Sequence, residues 1–317
     1  MSLRRCLTVL YLRLTNSRLT NSRLTDLDIK KMKLIKALLL SFGLAAGASA
    51  LAAEGHYKLD KFPTEKLNDQ SALQNGAKLF VNYCLNCHAA QSMRYNRLTD
   101  IGLSEEQIRS NLLFTADKVG DPMKTSMTAK DAKEWFGAVP PDLSVIARAR
   151  SSGAGSGSDW VYTYLRAYYR DSSRATGWNN ALYPNVGMPH VLWELQGTRG
   201  ATISEVKGSK DAAGKAVWTE TKVDFAPTGE RSEVTAPLAA GGHPEAHTEV
   251  TLGKAAGGKN SQAEYDSQIA DLTAYITYMS DPSAKSRTKV GAWVLMFLAI
   301  FTLIAWQLNR TFWKDIK

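Results

Sequence analysis

The amino-acid sequence predicts a mainly α-helical domain with large loop insertions, followed by one C-terminal transmembrane helix. Helix-capping signals and apolar residues at helical spacing recur between residues 71 and 168 and again after residue 260. The intervening residues 198–260 are rich in Gly, Ala, Thr and Lys and show little periodicity. Residues 290–308 contain no charged side chain and are long enough to cross a bilayer. A buried core helix of this length rarely lacks charge on every face.

The two ends of the chain indicate that its middle is exported. Residues 32–52 begin with lysines, continue with an apolar core and end in small residues, which is the pattern of a secretory signal peptide. The chain is therefore expected to contain a non-native or removed leader (1–31), the signal (32–52), an exported domain (53–284), a membrane anchor with a basic flank (285–308) and a cytoplasmic tail (309–317).

The charge balance gives no indication of nucleic-acid binding. The formal net charge of the whole chain is +9, but the two ends hold most of the excess. Residues 53–284 carry slightly more acidic than basic side chains, so the exported domain lacks the basic patch that nucleic acid requires.

The pentapeptide CLNCH contains the spacing that covalent haem attachment needs. Each thiol of Cys84 and Cys87 can form a thioether with one haem vinyl group, and the adjacent His88 imidazole can bind the iron. A zinc site would need a second ligand pair, but the only other cysteine, Cys6, lies far upstream. A thioredoxin-like dithiol would follow a strand, whereas residues 71–83 read as a helix running into the motif. The sequence therefore predicts one haem c in a c-type cytochrome fold.

A sixth iron ligand distinguishes an electron carrier from a catalyst with an open iron. Met188 lies in the segment YPNVGMPH, where two prolines and a glycine restrict the loop and can hold a thioether against a flat ring. Met123, which follows a single proline, and His190 are the alternatives. A Met–His pair gives the raised potential suited to electron transfer, and this favours Met188.

Several short helices are expected between the haem motif and the Met188 loop. Ser104 and Gln107 form a capping box that opens a helix ending near Leu113, and another helix is expected over residues 129–136. The segment PPDLSVIARAR then contains Arg148 and Arg150, either of which could donate to haem propionates. Alternatively, both arginines lie at an exposed helix end.

Residues 151–158 predict a flexible loop, and the next helix is expected to begin at an Asp159 cap. Val161, Tyr164, Leu165 and Tyr168 recur at helical spacing in it, as expected for a stripe that faces the core, of which haem could form a part.

Residues 198–260 are expected to be mostly irregular, with one possible β-hairpin around residues 208–214. A metal site at His243, His247, Glu245 and Glu249 is disfavoured because a polar loop offers no further ligands. Ser261 and Glu264 then form a second capping box. The helix after it buries Ile269, Leu272, Ile276 and Met279, ends at Asp281-Pro282, and is expected to pack across the first helix.

Four features together resemble the cytochrome c1 family, the haem-bearing subunits of the ubiquinol–cytochrome c reductase (bc1) complex. These features are CLNCH, PPDLSVIARAR, the YPNVGMPH loop and a C-terminal anchor preceded by a YMSDP helix end. The resemblance covers roughly residues 55–197 and 261–317. It implies a set of haem-binding residues, with His88 and Met188 as axial ligands and Arg150 as the main propionate partner: Cys84, Cys87, His88, Met188, Arg150, Arg148 and Pro141.

The resemblance also implies a function and partners. The chain would take single electrons from the Rieske iron–sulfur protein and pass them to a soluble or membrane-bound cytochrome c. It would associate with cytochrome b in a dimeric complex in the bacterial inner membrane, with the haem domain in the periplasm. Quinol chemistry would belong to other subunits, so this chain would be enzymatic only within the complex.

Two other functions fit a haem motif on a membrane anchor. One is a tethered cytochrome c that feeds a terminal oxidase or reductase. The other is a haem sensor or peroxidase with an open iron, which would require that Met188 does not bind.

Overall fold

A computed structural model describes residues 57–210, 216–238 and 245–314. The predicted leader and signal peptide, His243 and the end of the tail lie outside the described residues. The α-helices are α1 (Gln70–Leu79), α2 (Glu105–Asn111), α3 (Ala129–Phe136), α4 (Ile146–Ala149), α5 (Gly157–Arg166), α6 (Trp193–Gln196), α7 (Gln262–Ser280) and α8 (Ala284–Phe312).

The strands form small antiparallel sheets between these helices. The strands are β1 (Ala90–Arg94), β2 (Pro122–Met123), β3 (Tyr168–Arg170), β4 (Trp178–Asn180), β5 (Gly197–Thr198), β6 (Ala201–Lys210), β7 (Ala216–Phe225), β8 (Arg231–Pro237), β9 (His247–Leu252) and β10 (Ala256–Gly257). Three of the sheets are two-stranded pairs, β1 with β2, β3 with β4, and β5 with β10.

Helices α1 and α7 cross at a contact that leaves no room for a side chain at Gly76. A Cβ atom on Gly76 would lie 2.1 Å from the carbonyl oxygen of Asp271 and 2.7 Å from Cβ of Tyr275. Beside the crossing, the buried Asp271 carboxylate accepts hydrogen bonds from Asn75 Nδ2 and Lys66 Nζ, both at 2.8 Å. The expected packing of the last domain helix across the first is therefore confirmed.

The capping signals locate two of the predicted helices, because the boxes at Ser104 and Ser261 are both formed. Helix α3 also has the predicted bounds. All four apolar residues predicted for the inner face of α7 are buried, and that helix ends at Asp281 as expected.

The start of α5 differs from the prediction. Ser156, rather than Asp159, is the N-cap, and its hydroxyl accepts from the backbone N–H of Asp159. Asp159 is the third helical residue, and its carboxylate closes the capping box and also accepts from the backbone N–H of Phe62 at 2.8 Å. The predicted loop is therefore shorter, because a serine cap three residues before an acidic residue is itself a helix start. Tyr168 lies in β3 and not in the helix.

Residues 198–260 are not mostly irregular, and that prediction needs correction. Strands β6 to β9 form a four-stranded antiparallel sheet in the order β8-β7-β6-β9. The expected hairpin is confirmed, because β6 pairs with β7 from Ala201 opposite Phe225 to Lys210 opposite Ala216. The sequence signal was weak because much of the sheet faces solvent. Every residue of β8 is exposed, so apolar and polar residues do not alternate along it.

Helix α8 is long and apolar enough to cross a membrane over Ser286–Phe312. None of its apolar window is buried in the described structure, in contrast to a core helix. This finding extends the predicted span by a few residues at its C-terminal end.

Replacement of Gly76 by Ala should destabilise the domain that contains α1 and α7. Alanine is intrinsically favoured in a helix by about 1 kcal/mol, but the added Cβ would overlap a backbone oxygen that cannot move independently. We expect a net loss of about 1–3 kcal/mol in the free energy of unfolding. Gly120→Ala is the matched control, because a Cβ there meets no atom within 4 Å. Equal melting temperatures for the two variants would contradict the packing described for the crossing.

Truncation after Ser283 should release a soluble, haem-loaded domain with an unchanged absorption spectrum. The truncated chain keeps the haem motif and the Met188 loop and lacks the whole apolar span. Fractionation of cells that express the full and truncated chains measures this. Retention of the truncated chain in salt-washed membranes would contradict the assignment of α8 as the anchor.

Candidate haem site

The haem motif begins where α1 changes its helical pitch. After Leu79 the chain forms a π-helical turn over Phe80–Cys84, closed by a hydrogen bond from Leu85 N–H to the Phe80 carbonyl oxygen at 3.0 Å. The wider turn carries one more residue than an α-turn, and such turns are frequent at functional sites. The backbone N–H groups of Cys87 and His88 then both donate to the Cys84 carbonyl oxygen. The motif is thereby folded into a compact turn.

Both thiols of the motif line the same cavity. Cys84 is buried, Cys87 is half-buried, and the two are not joined in a disulfide. Burial raises the pKa of the Cys84 thiol to about 12 and also raises that of Cys87. Both groups are therefore neutral thiols at physiological pH.

His88 is oriented by the second proline of the PPDLS segment. Its Nδ1 lies 2.7 Å from the carbonyl oxygen of Pro141. A carbonyl can only accept, so Nδ1 carries the proton and Nε2 keeps a free lone pair. Burial lowers the pKa of His88, although the bond to Pro141 acts in the opposite direction. The neutral imidazole is the form that binds iron.

Three further hydrogen bonds join the chain after the motif to the PPDLS segment. Leu143 N–H donates to the Ala89 carbonyl oxygen at 2.8 Å. Gln91 N–H donates to the Asp142 carboxylate at 2.9 Å, and Ser92 N–H donates to the hydroxyl of Ser144 at 3.0 Å. Together with the His88 contact, these bonds fix the position of the imidazole relative to residues 140–150.

Met188 lines the cavity together with the three motif residues. Two buried amides hold its loop. Asn180 Oδ1 accepts from the backbone N–H groups of Leu182 and Tyr183, at 3.0 and 3.1 Å. Asn179 Oδ1 accepts from the N–H of Asn185 at 2.8 Å. The prolines are therefore only part of what restricts the loop.

Asn185 has a left-handed backbone conformation, with φ of 63°. Asparagine tolerates this region better than most residues do, and the Arg174 guanidinium bonds to its side-chain oxygen at 2.9 Å.

Neither alternative ligand lines the cavity. Met123 is fully buried in the main core, where its sulfur accepts from the Tyr275 hydroxyl at 3.5 Å. His190 is 2% exposed and its ring stacks on Tyr168 with centroids 4.7 Å apart. Burial lowers the pKa of His190 to about 3. The geometry therefore favours Met188 over both.

The two candidate propionate donors occupy different environments. Arg150 lines the cavity, with its guanidinium 4.4 Å from the centroid of the Trp160 ring. Arg148 is exposed and does not line the cavity. Arg150 is thus the better placed of the two.

The cavity has a volume of about 320 Å³, and apolar side chains dominate its walls. Two thiols, a neutral imidazole, a thioether and one arginine all reach it. A flat macrocycle with an iron, two vinyl groups and two carboxylates requires this set of groups, so the residues fit a covalently attached haem.

Comparisons with known proteins agree with this geometry. The model of the Cytochrome C1 family matches residues 61–219 and 253–316. The chain belongs to the cytochrome c1 family.

Among the relatives is cytochrome c1 of Allochromatium vinosum, 39% identical over 282 residues, which are 89% of this chain and 99% of that protein. Cytochrome c1 of Rhodospirillum rubrum is 26% identical over 90% of this chain and 98% of its own length. A Nitrosomonas europaea protein named ammonia monooxygenase gamma subunit is 39% identical over 90% of this chain and its full length.

Members of the cytochrome c1 family are haem subunits of the bc1 complex. The predicted family, the fold class and the c-type haem that the family implies are therefore confirmed.

Sequence reasoning missed several residues of this cytochrome c1 site. Trp160, Tyr83 and Tyr183 line the cavity. Tyr164 also lines it, in line with the expectation that haem could form part of the core that its stripe faces. The buried amides of Asn179 and Asn180 carried no periodic signal, although an Asn-Asn pair just before a Tyr-Pro turn could have suggested side-chain capping of the loop.

Replacement of both Cys84 and Cys87 by Ala should abolish covalently bound haem, whereas either single replacement leaves at most one thioether. Both thiols line one cavity beside His88. Haem staining after denaturing electrophoresis measures the bond directly, and immunoblotting of the same gel reports the amount of chain. A covalent haem signal that persists in the double variant would contradict the attachment site.

Proposed function

We propose that this chain carries one covalently attached haem c and transfers single electrons from the Rieske iron–sulfur protein to a cytochrome c within the bc1 complex. The observation that carries the proposal is the cavity shared by Cys84, Cys87, His88 and Met188. Family membership supports the complex, because cytochrome c1 proteins are its haem subunits.

Each residue of the site has a separate role in this proposal. The thiols of Cys84 and Cys87 would hold the haem, and His88 and Met188 would bind its iron. Haem, when bound, supplies a one-electron iron couple. The Pro141 carbonyl keeps the proton of the neutral His88 imidazole on Nδ1, so that the lone pair of Nε2 is available to the iron.

The other groups at the site favour a high potential and a buried cofactor. A thioether stabilises ferrous iron better than a nitrogen or oxygen ligand does. Apolar walls exclude water and so disfavour the extra positive charge of the ferric state. Arg150 can neutralise a propionate by charge-assisted hydrogen bonds, and its stacking on Trp160 holds the guanidinium at the cavity wall.

In this proposal the chain is a single-pass protein of the bacterial inner membrane. The haem domain lies in the periplasm, α8 crosses the bilayer, and the C-terminus is cytoplasmic. Cytochrome b and the Rieske protein are partners in the complex, which we expect to be dimeric. The apolar, uncharged residues 290–308 of α8 support packing against other membrane helices. Quinol oxidation belongs to the other subunits.

The two alternative functions receive less support. A tethered cytochrome c that feeds an oxidase would share the haem chemistry, but the family match covers the anchor as well as the haem domain. An open-iron sensor or peroxidase would need Met188 to stay away from the iron, whereas its loop is held at the cavity by Asn179 and Asn180.

Met188→Lys should lower the midpoint potential by more than about 59 mV, which is a tenfold change in the ferrous-to-ferric ratio. An amine stabilises ferrous iron less than a thioether does. Met123→Leu is the control and should leave the potential almost unchanged, because Met123 lies in the core outside the cavity. Redox titration of both full-length variants measures this. A large drop for Met123→Leu alone would reverse the ligand assignment.

The same preparations test the place in the electron-transfer chain. A tagged full-length chain, extracted in mild detergent, should co-purify with cytochrome b and the Rieske protein and support quinol-dependent reduction of cytochrome c. The Met188→Lys complex should assemble and transfer electrons slowly. A wild-type chain that purifies with an oxidase and without cytochrome b would instead favour the tethered-cytochrome function.

A further inference from the structure

A line of two tyrosine hydroxyls ends at the sulfur of Met188. The Tyr168 hydroxyl donates to the hydroxyl oxygen of Tyr164 at 2.8 Å. The Tyr164 hydroxyl in turn donates to Met188 Sδ at 3.5 Å. Unlike the two hydroxyls, the sulfur carries no proton and can only accept. When Tyr168 donates to the Tyr164 oxygen, the Tyr164 proton is therefore the one that points to the sulfur.

Aromatic stacking fixes the position of the Tyr164 ring. The indole of Trp160 stacks on it at 4.8 Å with an angle of 12° between the planes. The Tyr168 ring meets it edge-on at 5.5 Å. Helix α5 carries both Trp160 and Tyr164 four residues apart, on one face of the helix. The hydroxyl therefore has little freedom to leave the sulfur.

The same stack also contacts the Met188 loop at a second point. The ring of His190, two residues after Met188, lies parallel to the Tyr168 ring at 4.7 Å and 7°. The Tyr168 hydroxyl is also 3.4 Å from the backbone oxygen of Met188. Tyr164 and Tyr168 thus contact the side chain, the backbone and the next aromatic ring of the loop.

We propose that Tyr164 is a positioning residue for Met188, which orients the thioether towards the haem iron and raises the potential through its hydrogen bond to Sδ. The inference rests on the proposed function, because it requires Met188 to be an iron ligand. A hydrogen bond to sulfur withdraws electron density that the thioether would otherwise give to ferric iron. The ferric state is therefore stabilised less than the ferrous state, and ligand loss from ferric iron is opposed by the fixed geometry.

Tyr164→Phe in the full-length chain removes the hydroxyl and keeps the stacked ring. The midpoint potential should fall, with the ferrous-to-ferric ratio at a fixed potential lower by about two- to fivefold, as expected for the loss of one modest hydrogen bond. Replacement of the sixth ligand of the ferric protein by added imidazole should be faster by a similar factor. Haem content and the thioether-to-iron charge-transfer absorption band should be retained.

Two other variants show whether the effect is specific. Tyr95→Phe is the matched control, since Tyr95 is fully buried, bonds to Thr115 at 3.0 Å and does not line the cavity. It should change neither the potential nor the rate of ligand replacement. Tyr168→Phe leaves the Tyr164 hydroxyl in place and should give a smaller shift in the same direction as Tyr164→Phe.

A double-variant comparison separates this inference from the proposed function. Tyr164→Phe should have no effect on the potential once Lys replaces Met188, because the acceptor sulfur is gone. If Tyr164→Phe has the same potential and ligand-replacement rate as Tyr95→Phe, the positioning role is wrong. In that case, a thioether-to-iron band that is lost only in Met188→Lys still supports Met188 as the ligand. Absence of that band from the wild-type protein would overturn the ligand assignment itself. If Tyr164→Phe fails to load haem, Tyr168→Phe becomes the test. A midpoint potential of Tyr168→Phe equal to that of the wild-type protein would then overturn the positioning role.

Discussion

The hydrogen bond from His88 Nδ1 to the Pro141 carbonyl joins the two segments on which the site depends. It fixes the tautomer of the imidazole, and the three hydrogen bonds donated by or to residues 142–144 beside it fix the distance between the haem motif and this segment. The chain continues from this junction into α4, which Arg150 follows directly, and then into α5, which carries Tyr164. Both walls of the cavity therefore take their position from one junction. This junction explains why the PPDLS segment is a useful sign of the family, since each of its last four residues forms one of the four hydrogen bonds.

Local signals predicted those parts of the structure whose stabilisation is local. Capping boxes lie within four residues, and the inner face of α7 repeats every three or four residues, so both could be read directly. The four-stranded sheet could not be read in this way. Strand β6 pairs with β9 through residues far apart in sequence, such as Ala201 with Leu252, and β8 is exposed along its length. The Asp159 cap failed because two overlapping start signals compete there, and the serine is the one that can precede the helix.

The site was predicted in its chemistry and only partly in its geometry. Cys84, Cys87 and His88 form a motif whose spacing is itself the chemical requirement. Met188 was preferred to Met123 and His190 because its loop is rigid and a Met–His pair suits electron transfer, and its place as an iron ligand stays a prediction. Side-chain amides of Asn179 and Asn180 bond to the loop backbone, and such bonds leave no periodic pattern. Arg148 is exposed whereas Arg150 reaches the cavity, because the short helix α4 turns the two side chains in different directions. No sequence pattern specifies the orientation of so short a helix.

The two walls of the cavity are held by different kinds of interaction, and this difference bears on how the potential can vary within one fold. The His88 wall depends in part on main-chain acceptors, because the Pro141 carbonyl oxygen bonds to His88 and the Ala89 carbonyl oxygen accepts from Leu143 N–H, and a side-chain substitution removes neither carbonyl. The Met188 wall is held by side chains, namely two asparagines and a column of aromatic rings. Side chains can be exchanged singly while the helices stay in place. In the proposed ligation, sequence changes can therefore adjust the iron potential more readily through the Met188 wall, since the thioether's hydrogen bond and orientation both depend on it.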